Sequence, residues 1–259
     1  MMSMKKGFFL FCLVASALSP ALSYGTSHFG QMIESSKPVL SLGAGAIVAS
    51  DLGGSQNFPF NQPIIDTRFD YSSNNKRQVE PILDIFLGRE CTISPKWALQ
   101  LGLGYNQTVP FEANGTFTQS ILPVLSQINW NYEYNIRARQ LLVESKLQYH
   151  VADRYHPYVF AGLGAGFNTA SNYRAYVLLP NITRQYRDST TESFSYSVGL
   201  GLDVDVIERV RLGIGYRFAD YGKAELGQAN ILGHNVAGTL SQAHLYTNTI
   251  LTQLTFLLS

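Results

Sequence analysis

A chain of 259 residues with 14% charged and 12% aromatic residues, 22 glycines and a mean hydropathy of +0.00 excludes two broad classes of protein. A disordered chain carries more charge and fewer aromatic residues, and a helical membrane protein needs runs of about 20 apolar residues, which are absent after residue 25. The formal net charge is only +1, so we expect no nucleic-acid partner.

The N-terminus predicts a cleaved signal peptide over residues 1–23. Lys5 and Lys6 precede a short apolar stretch at residues 7–18, and small residues occupy the positions expected before a cleavage site after Ser23. The apolar stretch is too short to cross a membrane as a helix. We therefore expect export from the cytoplasm, followed by a short N-terminal periplasmic segment over residues 24–37.

From residue 38 onward, eight segments alternate apolar side chains with polar residues or glycine. A strand in lipid needs about 9 to 11 residues, with every second side chain facing hydrocarbon. The clearest segment places Trp97, Leu99 and Leu101 on one face and Gly102 and Gly104 on the other. The predicted strands are 39–49, 78–89, 96–107, 137–151, 157–169, 193–206, 209–219 and 243–258.

The connections between these segments alternate in length. Short turns follow the second, fourth and sixth strands, near Pro95, Arg154 and Glu208, whereas each other connection has about 20 residues or more. In an outer-membrane barrel the short turns face the periplasm and the long loops face outside. The sequence therefore predicts an all-β fold: an eight-stranded antiparallel up-and-down transmembrane β-barrel over residues 38–259.

A secreted soluble β-sandwich is the alternative fold, because its strands alternate in the same way. Glycine on the face opposite the apolar one, the signal peptide and aromatic residues near the strand ends all favour the barrel. The aromatic residues form a predicted girdle at the membrane interfaces: Trp97, Tyr105, Phe194, Tyr216, Phe218 and Tyr246.

The inward face of the predicted strands combines glycine with charge. An eight-stranded barrel is just wide enough to be filled by side chains, and buried charges must be paired. We expect a structural charge network that plugs the lumen, with an ion path as the alternative. Its members are Glu80, Asp84, Glu144, Lys146, Asp203, Asp205, Arg211 and Arg217.

Candidate catalytic groups are few. Asp203 and Asp205 point the same way, and omptin-type proteases use paired aspartates, but those sites lie at the extracellular rim whereas this pair lies near the periplasm. None of the histidines sits in a nucleophile motif, and no cluster has metal-ligand spacing. We expect no catalytic residue, no cofactor and no metal ion. The histidines considered are His150, His156, His234 and His244.

Each long loop contains an apolar cluster, which is unusual for a segment that faces water. Exposed apolar surface commonly marks a partner site. Two hypotheses remain open: the clusters pack on one another as a cap, or they contact a host surface or guide an apolar solute. The clusters are residues 58–60 with 64–65, 121–125, 177–180 and 231–232.

Eight strands, four long loops, a lumen of glycine and charge and an alternating last strand resemble the opacity-protein and OmpA–OmpX-like small outer-membrane barrels. The resemblance covers about residues 38 to 259 and rests on pattern. In that family an aromatic residue at the end of the last strand is recognised by the barrel-assembly machinery. Here Leu254, Phe256 and Leu258 keep the alternation, although the chain ends in Leu-Leu-Ser.

We therefore predict an integral outer-membrane protein of a Gram-negative bacterium with a structural or surface-contact role, including adhesion through the long loops. Its expected partners are outer-membrane lipid and lipopolysaccharide, the barrel-assembly machinery and a host surface. The first alternative is a narrow pore or a conduit for small hydrophobic molecules. The second is a lipid-modifying enzyme of the outer membrane.

Overall fold

A computed structural model describes residues 36–50, 52–61, 66–74, 76–122, 126–152, 154–176, 184–231 and 234–258. No helix among them is long and apolar enough to cross a membrane. The strands are β1 (Lys37–Ala49), β2 (Gln56–Asn61), β3 (Asp66–Ser73), β4 (Gln78–Ser94), β5 (Trp97–Thr108), β6 (Phe111–Leu122), β7 (Ser126–Arg137), β8 (Arg139–Tyr149), β9 (Tyr155–Tyr176), β10 (Gln185–Tyr186), β11 (Ser189–Ile207), β12 (Val210–Asp220), β13 (Ala224–Glu225), β14 (Ala229–Ile231), β15 (His234–Val236), β16 (Ser241–Gln242) and β17 (Tyr246–Leu257).

Eight of these strands close into a ring. The order is β1, β4, β5, β8, β9, β11, β12 and β17, and all neighbours are antiparallel. The first and last strands complete the ring, with Leu42 opposite Leu254. The predicted fold and all eight predicted strands are therefore confirmed.

The wall of the ring is apolar on the outside. Leu83, Leu163 and Leu200 are each at least 60% exposed, and they alternate along their strands with buried or glycine positions. Every second residue of a strand lies on the same face, so strict alternation gives the barrel an apolar exterior and a separate interior.

Four further strands, which the sequence analysis assigned to loops, extend the sheet beyond the barrel at its long-loop end. The order β2, β3, β6, β7 and β9 places them above β1, β4, β5 and β8, and β9 runs through both layers. We call β2, β3, β6, β7 and residues 169–176 of β9 the loop sheet. Short interruptions between strands separate the two layers. One of them is Val109-Pro110, where proline has no N–H to donate to a neighbouring strand.

The inner face of the loop sheet buries a cluster of aromatic side chains, which we call the cap core. Phe117 stacks on Trp130 with ring centroids 5.5 Å apart, and Tyr71 stacks on Phe117 at 4.7 Å. Residues 221–245, the fourth loop, pack against this face through small strands and buried leucines. The cap core contains Phe69, Tyr71, Phe117, Trp130, Tyr132, Tyr134, Tyr173 and Tyr186.

The sequence held a signal for the loop sheet. Residues 128–136 alternate apolar and polar side chains as regularly as any barrel strand, with Trp130, Tyr132 and Tyr134 on one face. The structure differs from the prediction in one further respect. The connection after the fifth predicted strand, 157–169, is shorter than predicted because β9 continues to Tyr176.

Candidate functional site

The lumen is crossed by ion pairs in three groups. In the first group, Lys146 Nζ lies 2.6 Å from Asp203 Oδ2. The aspartate is fully buried inside the barrel. Gln148 donates to the same oxygen at 2.7 Å, and Gln253 donates to Asp203 Oδ1 at 3.0 Å. Both carboxylate oxygens therefore have partners, which a buried charge requires.

The second group lies nearer the short-turn end. Arg211 reaches two carboxylates: its Nε donates to Asp205 Oδ1 at 2.9 Å, and its Nη2 donates to Glu90 Oε1 at 3.2 Å. The other side of Asp205 meets His156 Nε2 at 2.8 Å. The sequence analysis did not place Glu90 and His156 in the lumen. The predicted strand 78–89 ends one residue before Glu90, and the predicted strand 157–169 begins one residue after His156.

In the third group a single guanidinium serves two acids. Arg217 Nη1 lies 2.6 Å from Asp84 Oδ2, and Nη2 lies 3.8 Å from Glu144 Oε1. The guanidinium carbon also sits 4.9 Å from the centre of the Phe160 ring. Removing Arg217 would leave two buried carboxylates without a cation.

The structure thus places seven of the eight predicted lumen charges in ion pairs. Glu80 is the eighth: it lies on the inward face near the long-loop end, is half-buried, and has no ion pair among the described residues. The space left between Asp84, Glu144 and Arg217 is about 30 Å³, room for about one water molecule. Around Arg217, the described side chains therefore fill the lumen.

Uncharged residues complete this plug and were missed by a search for charges. Gln140 donates to the carbonyl oxygen of Asp220 at 3.1 Å, and Tyr221 donates to Asn106 at 2.6 Å. They close the lumen where it meets the cap. Their inward-facing positions on predicted strands were the available signal for Asn106 and Gln140.

The paired aspartates contact lumen cations, and three of the four histidines have described contacts. Asp203 and Asp205 are engaged by Lys146 and Arg211, and they lie in the short-turn half of the barrel. His150 contacts His156 with ring centroids 4.6 Å apart. His244 Nδ1 lies 2.8 Å from Asp220 Oδ2, and the side chain of His234 lies outside the described residues. Within the described chain, no cluster of three or more potential metal ligands occurs.

The predicted girdle residues face outward at two levels. Trp97 packs on Tyr149 at the short-turn end, with ring centroids 4.8 Å apart, and Phe218 stacks on Tyr246 at 5.9 Å near the long-loop end. Trp97 and Tyr105 begin and end an apolar stretch of β5 about 26 Å long at the usual rise per residue. That length matches the roughly 25 Å band of membrane barrels.

The remaining girdle and assembly residues also lie on the outer wall. Phe194 is 66% exposed, and Tyr216 donates to Asn248 on the neighbouring strand. Phe256, flanked on the same face by Leu254 and Leu258, pairs with Leu40 and Val210. Recognition of this segment by the assembly machinery stays a prediction, as does the signal peptide, which lies outside the described residues.

Two members of the apolar loop clusters fit the first hypothesis, a cap. Phe58 packs against the cap core and Ile231 is buried within it. Pro59 is exposed, and the remaining members have side chains or whole residues outside the described part of the chain: Phe60, Ile64, Ile65, 121–125, 177–180 and Leu232.

The outer face of the loop sheet is open and polar. Amides, hydroxyls and charges form rows across the strands: Thr118 donates to Asn129 at 2.9 Å, and Ser72, Thr116 and Asn131 are successive neighbours. Among the described side chains of this face, three are acidic and three are basic. These side chains include Arg68, Asp70, Ser72, Glu112, Asn114, Thr116, Thr118, Ser120, Asn129, Asn131, Glu133, Asn135, Arg137 and Arg174, together with the exposed ring of Tyr176.

A closed antiparallel barrel with an apolar, aromatic-flanked exterior and a charged interior defines an outer-membrane β-barrel. Residues 15–243 match the family model of the outer membrane protein beta-barrel domain, and the chain belongs to this family. The protein is therefore located in the outer membrane, and its loop sheet faces outside the cell.

Several solved barrels are similar in fold. Neisserial surface protein A is 12% identical, with 85% of this chain and 96% of that chain covered and a TM-score of 0.42. OprG of Pseudomonas aeruginosa is 15% identical, with 85% and 96% covered and a TM-score of 0.41. The outer membrane protease OmpT of Escherichia coli is 12% identical, with 86% and 95% covered and a TM-score of 0.45. No curated protein matches the sequence.

Proposed function

We propose that this protein makes contacts at the cell surface through the outer face of its loop sheet, with adhesion to a host surface as the active role. The observation that carries this proposal is the two-sided loop sheet. Its inner face is buried by the cap core, so the sheet has a fixed shape, and its outer face is left open to solvent. Binding residues are commonly placed on a rigid scaffold above a fold of this kind.

The chemistry of the outer face favours a polar, uncharged contact. Rows of asparagine, threonine and serine offer both donors and acceptors, and the described charges on this face balance. Some are already paired with one another, as in the 2.8 Å ion pair of Arg68 with Asp70. Such a face binds by hydrogen bonding, and its affinity should change little with salt.

The filled lumen supports the surface role over the alternatives. A narrow pore or a conduit for small hydrophobic molecules needs a path that the groups around Arg211 and Arg217 interrupt. A lipid-modifying or proteolytic role needs free catalytic groups, whereas Asp203 and Asp205 hold lumen cations. Outer-membrane lipid, lipopolysaccharide and the barrel-assembly machinery remain the expected partners within the envelope.

The test is binding of cells that display the protein to cultured epithelial cells and to matrix-coated surfaces. Asn131→Lys and Thr116→Lys place a bulky charge in the centre of the outer face and should reduce binding about tenfold or more, because buried unpaired charge is costly at an interface. The matched control is Glu208→Lys in a periplasmic turn, which should bind as the unchanged protein does. Equal binding by all four proteins would rule out this face.

A planar-bilayer recording separates the surface role from transport. Refolded protein with a heat-modifiable gel band should show no steady discrete openings. Regular openings that change with Lys146→Gln would move the pore to first place.

A further inference from the structure

Arg184 is a cation buried in the cap core without a visible counter-ion. It is 0% exposed and is the largest of the fully buried side chains. No described carboxylate lies within 4 Å of its guanidinium, unlike Arg211 and Arg217 in the lumen. Arginine does not lose its proton in proteins, so burial cannot neutralise it. An uncompensated buried charge is among the costliest features a fold can contain.

The surroundings of Arg184 are aromatic. Its guanidinium carbon lies 4.7 Å from the ring centre of Phe58, 5.5 Å from that of Phe69 and 5.7 Å from that of Tyr186. These rings stabilise the cation through their faces, but they carry no full negative charge. We call these three rings the Arg184 cage.

Most of the hydrogen-bonding capacity of Arg184 is unused. Its Nη2 donates to the carbonyl oxygens of Ala237 and Gly238, whereas Nε and Nη1 have no acceptor. A guanidinium has five N–H bonds, so three remain free. The cage is therefore short of both acceptors and negative charge.

The cage lies just beneath the outer surface. Ala237 and Gly238, which accept the hydrogen bonds of Nη2, are both exposed. Gly238 has φ = 87°, and a Cβ there would meet the Phe58 ring at 2.3 Å, so this exposed turn packs directly on the cage. A solute that displaces the turn would reach the guanidinium.

We propose that the Arg184 cage is a binding site for an oxyanion group: a phosphate, a sulfate or a carboxylate. Such a group supplies the missing negative charge and accepts hydrogen bonds from the free N–H groups. The planar guanidinium matches the geometry of its oxygens. Water would satisfy the donors but leave the charge uncompensated. The site lies against the inner face of the loop sheet and is separate from the proposed contact face.

The chain provides its own reporter for this site. Its two tryptophans are Trp97 on the membrane wall and Trp130 in the cap core. In a Trp97→Phe background, fluorescence reports Trp130 alone. Sodium phosphate and sodium sulfate, titrated against sodium chloride at constant ionic strength, should give a saturable signal that chloride does not give. Glucose 6-phosphate, compared with inorganic phosphate, distinguishes a group carried on a larger molecule from a free ion.

The variants decide the assignment. Arg184→Gln should weaken the response at least tenfold, and Arg184→Lys should weaken it less, because it keeps the charge without the planar fork. The matched control is Arg174→Gln, whose arginine side chain is 68% exposed on the outer face and which should respond normally. A second readout is the urea midpoint, which phosphate should raise in the unchanged protein but not in Arg184→Gln.

Two results would overturn the proposal. The first is an unchanged response in Arg184→Gln. The second is no saturable response, and no shift of the urea midpoint, in protein that is demonstrably folded.

Discussion

The lumen and the cap have opposite interiors although neighbouring stretches of the same sheet build both. Inside the barrel, Lys146, Arg211 and Arg217 are held by carboxylates and amides. Inside the cap, Phe117 and Trp130 stack among other aromatic rings. The difference follows from what lies outside the wall, because hydrocarbon covers the outer face of the barrel and water covers the outer face of the loop sheet.

Within the loop sheet, a bulge in β9 changes which residues of the strand point inward. On β9, even-numbered residues such as Asn168 and Ala170 point inward up to a bulge, and beyond it Tyr173 points inward. The bulge contains Asn172, whose φ is 58°, in the left-handed region where asparagine is tolerated. One inserted residue thus reverses the two faces of a continuous strand.

The largest expected effect is in the lumen. Arg217→Met leaves Asp84 and Glu144 buried without a cation and should lower the free energy of unfolding by about 3–5 kcal/mol. Urea unfolding in lipid vesicles measures it. Combining the change with Asp84→Asn and Glu144→Gln should restore much of the loss. A decrease under about 1 kcal/mol for Arg217→Met alone would mean that the network contributes little.

The cap should respond to a cavity instead. Phe117→Ala removes a fully buried ring and should destabilise the loop sheet by about 3 kcal/mol. Limited proteolysis should then cut the loop sheet while the heat-modifiable band of the barrel persists. Thr118→Ala, one residue along on the outer face, is the matched control and should resist cleavage. Joint loss of the band and the loop sheet would show that the two interiors unfold as one unit.

Alkaline pH should loosen the cap through its tyrosines. Burial raises the pKa of Tyr132 to about 12, and burial also raises the pKa values of Tyr134 and Tyr173. Because these values lie above the unfolded value of about 10, the stability they contribute is complete below pH 10 and declines as pH rises towards 12. Protease sensitivity of the loop sheet should rise over that interval. A flat profile would contradict the burial of these hydroxyls.

The smallest effect is expected at a surface pair. Arg174 Nη1 lies 4.0 Å from Glu133 Oε1, with side chains 68% and 33% exposed. Arg174→Gln should change the free energy of unfolding by less than about 0.5 kcal/mol, because exposed ion pairs are weak. Urea unfolding under the conditions used for Arg217→Met gives the direct contrast, and a loss above about 1 kcal/mol would not fit an exposed pair.

The barrel was predictable because hydrocarbon enforces strict alternation. The same alternation placed Asp84, Glu144 and Arg217 on one face, but it could not say which acid meets which base, since that depends on how far the strands are staggered around the ring. Small errors at strand ends were enough to lose Glu90 and His156.

The loop sheet was missed for a different reason. Its strands alternate as well, but eight barrel strands already satisfy the even strand count, so the sequence analysis assigns residues 111–122 and 126–136 to loops. The Arg184 cage had no sequence signal, because Phe58, Phe69 and Arg184 are brought together only when the loops fold on the sheet.

β9 runs unbroken from Tyr155 to Tyr176, from the periplasmic turn to the surface of the cell. If a bound partner pulls on the loop sheet, the load passes along this strand into its hydrogen bonds with β8 and β11. Those bonds lie across the direction of pull, so they would have to shear together and not peel one by one. The ring into which they pass has no free edge from which tearing could start. A pull on the loop sheet is therefore spread over the whole barrel wall.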